Sequence, residues 1–354
     1  MFKDKTILVT GGTGSMGKVF VRRLLSGEKG LPKKVIVLSR DEAKQHDMRV
    51  SYLNQIVGVD TAVLKNFMNV LEFRIGDVRS YEDVVSAIRG TDIVVNAAAM
   101  KQVPTCEYFP YQGVLTNCIG AQNIVRAIKE HNFPVETVVG ISTDKAAKPV
   151  NVMGMTKAIQ ERIITSANIL IPNTKFICVR YGNVLASRGS VIPLFHKQIK
   201  AGGPVTITVP EMSRFLINLN QSVDTVFAAI ETAEAGETLV PIAPAANIMN
   251  IAKSLVGDKN IEIKVNGIRP GEKMHEILIS EEEVHHTVRR GNYYAIKSML
   301  PELNGDNYGK EIVVEKEYSS NDAVLNYEET YQLLKDNQLL EIDESKEKEG
   351  ELLR

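Results

Sequence analysis

The stretch "ILVTGGTGSMGK", Ile7 to Lys18, decides how the rest of the chain is read. A short β-branched run stops at Gly11, and Gly14 and Gly17 follow at the mouth of an amphipathic segment. Glycines at that spacing let a backbone approach a pyrophosphate that rests on the N-terminus of a helix. Thr13, Ser15 and Met16 complete the loop as candidate dinucleotide contacts. An ordinary tight turn would carry the same glycines, so the context has to decide. The runs "KVIVLS", "LEFRIG", "DIVVNAA", "ETVVGIS" and "KFICVR" recur through the first 180 residues with helical stretches between them. That rhythm predicts an α/β fold, a Rossmann-type doubly wound parallel sheet. The gap between Asp41 and Asn69 exceeds what one helix needs, which predicts an additional helix there. After Arg180 the pattern loosens into "AGGPVTIT", "PIAPAAN" and "GIRPGEK", the composition expected of a smaller C-terminal α/β lobe that covers substrate. The expected division is 1–180 for the dinucleotide domain, 181–335 mainly for the substrate lobe, with elements interleaved, and 336–354 for a charged tail.

With 354 residues, 44% of them hydrophobic, and a formal net charge of −1, the chain can bury a full core and lacks the basic excess of a nucleic-acid binder. No apolar run approaches the ~18 residues of a membrane span. The first strand begins at Thr6, too early for a cleavable leader, so a cytoplasmic location is expected. Cys106, Cys118 and Cys178 are odd in number and scattered, as reduced structural thiols would be. His285 and His286 would diverge by about 100° on a helix, so no metal is expected.

At the end of the second strand, Ser39 and Arg40 stand where a NAD enzyme usually shows an acid. Arg40 and Lys44 could grip a 2′-phosphate, which favours NADP, while Asp41 could still bond a ribose. Asp77 and Val78 suit an adenine edge, and Ala97, Ala98 and Ala99 leave room beside a cofactor. Asn117 reads either as a cofactor contact or as a polar residue that bends its helix. Lys101 reads as a contact to cofactor or substrate, or as a solvated lysine.

Ser142-Thr143-Asp144-Lys145 closes the fifth strand, the edge where open α/β sheets put their chemistry. Met153 and Lys157 follow at helical spacing on one face. TGGTGSMGK, GDVR, NAAA, STDK and MxxxK, in this order, resemble the extended short-chain dehydrogenase/reductases that modify nucleotide sugars. The longer strings "NAAAMKQVPTCEYFP", "STDKAAKPVNVMGMTKA", "RYGNVLASRGSVIPLF" and "GIRPGEKMHE" resemble the inverting UDP-N-acetylglucosamine 4,6-dehydratases of bacterial capsule, O-antigen and flagellar-sugar pathways. The likeness spans about residues 4 to 335.

The resemblance implies a reaction in which hydride leaves carbon 4 for NADP, water is lost across carbons 5 and 6, and hydride returns to carbon 6. NADP would stay tightly bound and be recycled within each turnover. In the wider family a tyrosine stands at the Met153 position; a thioether cannot take a proton, although one branch of the dehydratases shares the methionine. Lys145 is the expected carbon-5 base if desolvation and nearby positive charge hold it neutral. Retaining relatives carry glutamate there. Asp144 would protonate the departing 6-hydroxyl if burial raises its pKa, Thr143 would bond the 4-oxygen, and Lys157 would hold the nicotinamide ribose. A plainer reading has Thr143, Asp144 and Lys145 merely capping the next helix and pairing with one another. Tyr181 and Asn183 are implied at the cofactor. Asn183, Lys101, Ser190, Val191, Pro193, Arg214, Arg269 and Glu272 are implied at the UDP-sugar, with the two arginines converging on the diphosphate. A homo-oligomer, by resemblance a hexamer, is also implied. The rivals are a nucleotide-sugar 4-epimerase and an inactive binding subunit.

Overall fold

A computed structural model of the chain describes residues 1–54, 61–185, 187, 190–304 and 313–341. Most of the expected charged tail, and Gly189 of the expected phosphate turn, lie outside the described residues. The strands are β1 Thr6–Thr10, β2 Lys34–Ser39, β3 Leu71–Ile75, β4 Ile93–Asn96, β5 Thr137–Ile141, β6 Lys175–Val179, β7 Asn183–Val184, β8 Val205–Ile207, β9 Ser213–Ile217, β10 Thr238–Pro241, β11 Ala245–Asn247, β12 Ile263–Val265, β13 Ile277–Ile279, β14 Thr287–Arg290, β15 Tyr293–Ile296, β16 Tyr318–Ser319 and β17 Val324–Leu325. The helices are α1 Ser15–Ser26, α2 Glu42–Asn54, α3 Thr61–Val70, α4 Tyr81–Ile88, α5 Val103–Tyr108, α6 Pro110–Gly113, α7 Gly120–His131, α8 Val152–Leu170, α9 Val191–Lys200, α10 Leu219–Thr232, α11 Ile248–Val256, α12 Glu281–Val284 and α13 Tyr327–Asp336. The second helix expected between Asp41 and Asn69 is present as α3.

The main sheet runs β14-β15-β10-β6-β5-β4-β1-β2-β3. Its strands from β3 to β10 are parallel, and β15 and β14 close the far edge antiparallel. Strand order reverses between β1 and β4, the switch point at which such sheets take ligands. Alternation along the strands builds the two cores. Ile7, Val9, Val35, Val37, Val139, Ile177 and Val179 join the core with α1 and α10, while Leu8, Ile36, Leu38, Val138, Phe176 and Cys178 face α4, α7 and α8. A strand buried on both faces has no polar side to show, which explains the near-continuous apolar runs in the sequence.

Beyond Arg180 the chain contributes β10, β15 and β14 to this sheet and also builds small sheets of its own, β17-β11-β9-β7, β12-β8 and β13-β16. Leu185, Phe195, Leu216, Ile251, Leu255 and Leu334 form their separate core. The two parts are joined by a buried ion cluster. Arg180, at the end of β6, donates to Glu161 of α8 at 2.6 Å and to Glu283 of α12 at 2.7 Å. Its fork fits two carboxylates at once, and their charge, opposing burial, holds the guanidinium firmly protonated. Cys106, Cys118 and Cys178 are buried and free. Among the described residues no helix is long and apolar enough to cross a membrane.

Candidate active site

The loop after β1 is shaped by what a side chain would strike. Gly11 sits at φ +67°, and a Cβ there would lie 2.7 Å from the Ala98 nitrogen. A Cβ at Gly17 would lie 2.6 Å from the Cα of Gly12. The glycines thus let α1, β1 and the end of β4 meet, leaving Gly14 exposed at the mouth of α1. Thr13 Oγ1 lies 3.2 Å from Ser39 Oγ, and Ser39 Oγ accepts from the Asp41 nitrogen, so the loops after β1 and β2 are tied into one rim. Ser15 and Met16 stand half-buried in the first turn of α1.

Arg40 is 57% exposed and lies 3.6 Å from Asp77, while Lys44 pairs with Asp41. Both cations at this rim thus stand beside a carboxylate. Asp77 is committed elsewhere: its Oδ2 accepts from Arg79 Nη2 at 2.6 Å. Burial pushes this carboxyl up, but the bonds and charge of Arg79, with Arg40 behind, hold it below its usual range. Val78 is buried in the core against Gly120.

After β4, Ala97 and Ala98 are half-buried and Ala99 and Lys101 are exposed. Asn117 is fully buried inside a π-helical turn, Val114–Ile119, between α6 and α7. Its Oδ1 accepts from the Met100 nitrogen at 2.8 Å, and its Nδ2 donates to Met100 O and Thr156 Oγ1. It fastens the β4 loop to α8. This corrects the expectation of a direct cofactor contact and fits the helix-bending alternative, because an extra residue in the helical turn aims the amide inward.

The chemistry-bearing residues gather after β5. Thr143 caps a 3₁₀ turn, Asp144–Ala146, accepting from the Lys145 nitrogen and donating to Asp144 Oδ1 at 2.8 Å. Asp144 is fully buried, anchored by its nitrogen on Tyr181 O, and its Oδ2 has no hydrogen-bond partner among the described residues. A Cβ at Gly182 would lie 2.5 Å from Phe215 Cβ, so glycine lets β9 pack against this stretch beside Asp144. Lys145 Nζ lies 3.1 Å from Asp144 Oδ1 and 3.1 Å from Glu276 Oε1, with Asn183 Oδ1 at 3.5 Å. Burial would discharge Lys145, but Asp144 and Glu276 outweigh it and raise the pKa. This corrects the expectation that positive neighbours hold Lys145 neutral: Arg214 acts in that direction, but the two carboxylates outweigh it together with burial. Asp144 meets its stated condition, since burial, with Glu276 adding repulsion, pushes its carboxyl up against the pull of Lys145. Glu276 is the opposite case, held low by Lys145 and Arg214 in spite of burial.

On α8, Met153 is buried. A Cβ at the next residue, Gly154, would lie 2.2 Å from the Lys145 carbonyl oxygen, so only glycine lets the helix seat the Asp144–Ala146 turn. Lys157 is 5% exposed and donates to Ile141 O and to Gln160 Oε1 at 2.7 Å. Burial without a contacting carboxylate lowers its pKa to about 8. Tyr181 is buried at the end of β6, its hydroxyl pushed up by burial.

The second part closes over this floor. The Arg269–Glu276 loop is seated by Asn151 Nδ2 on Gly271 O at 2.8 Å and by Lys273 Nζ on Ala147 O at 2.6 Å. Arg214 does not form an open fork with Arg269. It is buried, donating to Ser213 O, Lys273 O and Met274 O, and its Nε lies 3.8 Å from Glu276. Arg269 is exposed on the loop, which corrects the expected convergence of the two arginines: one is consumed by holding the loop in which the other stands. Ser190, the N-cap of α9, Glu272, Glu276 and Ser142 each carry a buried oxygen without a partner among the described residues. Val191 is half-buried and Pro193 exposed in the first turn of α9.

Glu276, Gly154, Gly182 and Gln160 carry no role in the sequence reading. Glu276 closes the quoted "GIRPGEKMHE" and Gly154 lies within "NVMGMTK", but a partner over a hundred residues away leaves no local pattern.

A family described as polysaccharide biosynthesis protein matches residues 7–298. The chain belongs to that family. Within this polysaccharide biosynthesis family, a protein of Rickettsia bellii named UDP-glucose 4-epimerase is 43% identical over 345 residues, 94% of this chain and 96% of that one. The Rickettsia conorii protein of the same name is 43% identical over 344 residues with the same coverage. Among solved structures, Pen from Bacillus thuringiensis is 35% identical with a TM-score of 0.83, covering 95% of this chain and 99% of that one. A dTDP-glucose 4,6-dehydratase of Streptomyces venezuelae with NAD bound shares 21% identity and a TM-score of 0.64 over 76% of this chain and 86% of that one, a likeness of fold. The fold is that of the extended short-chain dehydrogenase/reductases.

Proposed function

We propose that this chain is a lyase, an NADP-dependent 4,6-dehydratase of UDP-N-acetylglucosamine that inverts carbon 5 and yields a UDP-4-keto-6-deoxy-hexosamine for surface-glycan synthesis. The observation that carries the reading is Asp144, a fully buried carboxyl with raised pKa and one unpartnered oxygen, set beside a lysine. Elimination of a hydroxyl needs an acid for the leaving group, whereas inversion at carbon 4 does not.

Gly11, Thr13, Gly14, Ser15, Met16 and Gly17 would hold the pyrophosphate, with Ser39, Arg40, Asp41 and Lys44 at the adenosine phosphate and Ala97, Ala98, Ala99 and Tyr181 flanking the site. Bound there, NADP would supply the oxidation at carbon 4 and the reduction at carbon 6. The protein's own work is proton transfer and orientation. Thr143 Oγ1 would bond the 4-oxygen. Asp144 Oδ2 would give its proton to the 6-hydroxyl as the carbon–oxygen bond breaks and water leaves with the electron pair. Lys145 would pass one of its protons to the ionised carboxylate beside it and, through the amine lone pair so freed, take the carbon-5 proton. Its charge, with Lys157 behind, would stabilise the oxygen at carbon 4 as carbon 5 loses its proton. Ser190, Val191, Pro193, Arg269 and Glu272 would take the nucleotide diphosphate, and Lys101 and Asn183 the sugar.

The second reading is a 4-epimerase, supported by the name of the Rickettsia relatives. Incubating the protein with UDP-N-acetylglucosamine in deuterium oxide separates the two. Loss of one water with deuterium at carbon 5, abolished by Asp144→Asn, is the expected result. An unchanged mass with carbon 4 inverted establishes the epimerase, and an untouched sugar that still binds overturns both, leaving a different substrate or an inactive subunit.

A further inference from the structure

Three charged groups share one small volume in this site, and only two of them have a role in the chemistry proposed above. Glu276 reaches Asp144 and Lys145 from the other part of the molecule. Its backbone is fixed on both sides: its nitrogen donates to Ser320 Oγ at 2.9 Å, and its carbonyl accepts from the Ser320 nitrogen at 2.8 Å. Ser320 Oγ is itself 2.7 Å from Ser213 Oγ, which lies 2.7 Å from His275 Nδ1. The carboxylate is 2% exposed, a costly place for a charge unless it is paired. Its Oε1 pairs with Lys145 at 3.1 Å and lies 3.8 Å from Arg214 Nε.

Asp144 competes for the same ammonium with its Oδ1, at the same 3.1 Å. Two carboxyls on one lysine in a buried site do not both ionise easily; the better-served one takes the charge and the other keeps a proton. Glu276 is the better served, because Arg214 also faces it, whereas Lys273, with Glu317 behind it, faces both carboxyls. Asp144 has Lys145 and the Thr143 hydroxyl on Oδ1, with Lys273 farther off, and its Oδ2, like Glu276 Oε2, is without a hydrogen-bond partner among the described residues.

We propose that Glu276 is a positioning residue of this site, the ionised third member of an Asp144–Lys145–Glu276 cluster, which takes the charge of Lys145 and so leaves Asp144 protonated on Oδ2. The inference rests on the dehydratase reading for its consequence in turnover, but not for the protonation state itself. The proton count is fixed: one on Asp144, the full ammonium on Lys145, none on Glu276. During elimination the Asp144 proton goes to the departing oxygen, and the Lys145–Glu276 pair absorbs the carbon-5 proton.

The test uses the full-length protein with Glu276→Gln, Glu276→Asp and Asp144→Asn. Infrared spectroscopy at neutral pH reads the carbonyl stretch of a protonated carboxyl without any substrate. The expected result is an acid band in wild type that Asp144→Asn removes, that Glu276→Gln also removes, and that Glu276→Asp keeps. With UDP-N-acetylglucosamine, the alkaline limb of the dehydration rate should move down by about one pH unit or more in Glu276→Gln, about tenfold at fixed alkaline pH, with activity regained at lower pH. A wild-type spectrum with no Asp144 band overturns the proposal. So does a Glu276→Gln protein that keeps the band, or that loses rate uniformly at every pH. If wild type dehydrates nothing yet the band behaves as stated, the dehydratase reading fails and the role of Glu276 in the cluster stands.

Discussion

Lys157 offers a measurable consequence of burial that does not depend on any substrate. Its ammonium is enclosed by α8 and β5, bonded to Ile141 O and Gln160 Oε1, and its pKa falls from 10.5 to about 8. That depression corresponds to about 3 kcal/mol against the charged form. Below pH 8 both the folded and the unfolded chain hold the proton, and the whole penalty is present. Between 8 and 10.5 the unfolded chain keeps a proton that the folded one has lost, so wild-type stability rises with pH. Lys157→Met removes the group. It relieves the penalty at pH 7 but leaves Gln160 Oε1 without its donor, a cost of about 1–3 kcal/mol, so the variant should be as stable as wild type or slightly more so. The decisive quantity is the difference between the two proteins. Urea unfolding followed by circular dichroism at equal protein concentration, at pH 7, 8, 9 and 10, should show wild type gaining on the variant by about 1.4 kcal/mol per pH unit above pH 8. A difference that is flat across this range, or that falls, refutes the account of Lys157 as a buried charge without a counter-ion.

Other expectations follow from single contacts. Arg180→Met leaves Glu161 and Glu283 buried and unpaired, and should cost about 3–5 kcal/mol in chemical unfolding, with part recovered when both glutamates become glutamine. Gly154→Ala puts a methyl carbon 2.2 Å from Lys145 O; the overpacking should cost about 1–3 kcal/mol by thermal melting and shift the Asp144 turn, lowering turnover more than binding of the UDP-sugar. Arg40→Ala should weaken NADP binding about tenfold or more by calorimetry and leave NAD unchanged, because only the 2′-phosphate meets the guanidinium; an equal loss for both would refute the NADP preference.

The parallel sheet could be read in advance because each of its first six strands announces itself by an apolar, β-branched run between helical stretches, and the turn after β1 by its glycines. The antiparallel edge was harder. "TVRR" of β14 and "YYAI" of β15 are short and polar on one face, and β15 pairs with β10, and β14 with β15, only because a long connection returns the chain to the sheet. Within the site, Asp144 and Lys145 were legible from their place at the end of β5. Their electrostatics were not, since Glu276, which adds to Asp144 in raising Lys145 against burial, lies more than a hundred residues on. Arg214 shows the same limit. Arginine in a pocket sequence suggests an anion, yet here the guanidinium donates to three main-chain carbonyls and to the Met212 sulfur, and no residue type records that.

The methionine at 153 is the last difficulty, and the geometry suggests how a site manages without a phenol. Met153 is 4% exposed and Lys157 is drawn back to Ile141 O, so this face of α8 supplies packing and a buried charge. Hydroxyl, carboxyl and ammonium protons are concentrated instead on Thr143, Asp144 and Lys145, with Glu276 opposite. On the proposed reading, the proton of the 4-hydroxyl enters through Thr143, whose Oγ1 is already bonded to Asp144, and position 153 is structural. Met153→Leu should then cost less than about 1.5 kcal/mol in stability and keep turnover within severalfold. Met153→Tyr should bring no gain, because a larger, polar side chain enters a filled space and its hydroxyl needs a partner. Both are read by oxidation of carbon 4 in a single turnover, followed as absorbance of the reduced nicotinamide. A tenfold acceleration by tyrosine would mean that position 153 does reach the sugar and that the Thr143 route is secondary; abolition by leucine would mean that the thioether itself touches the reacting groups.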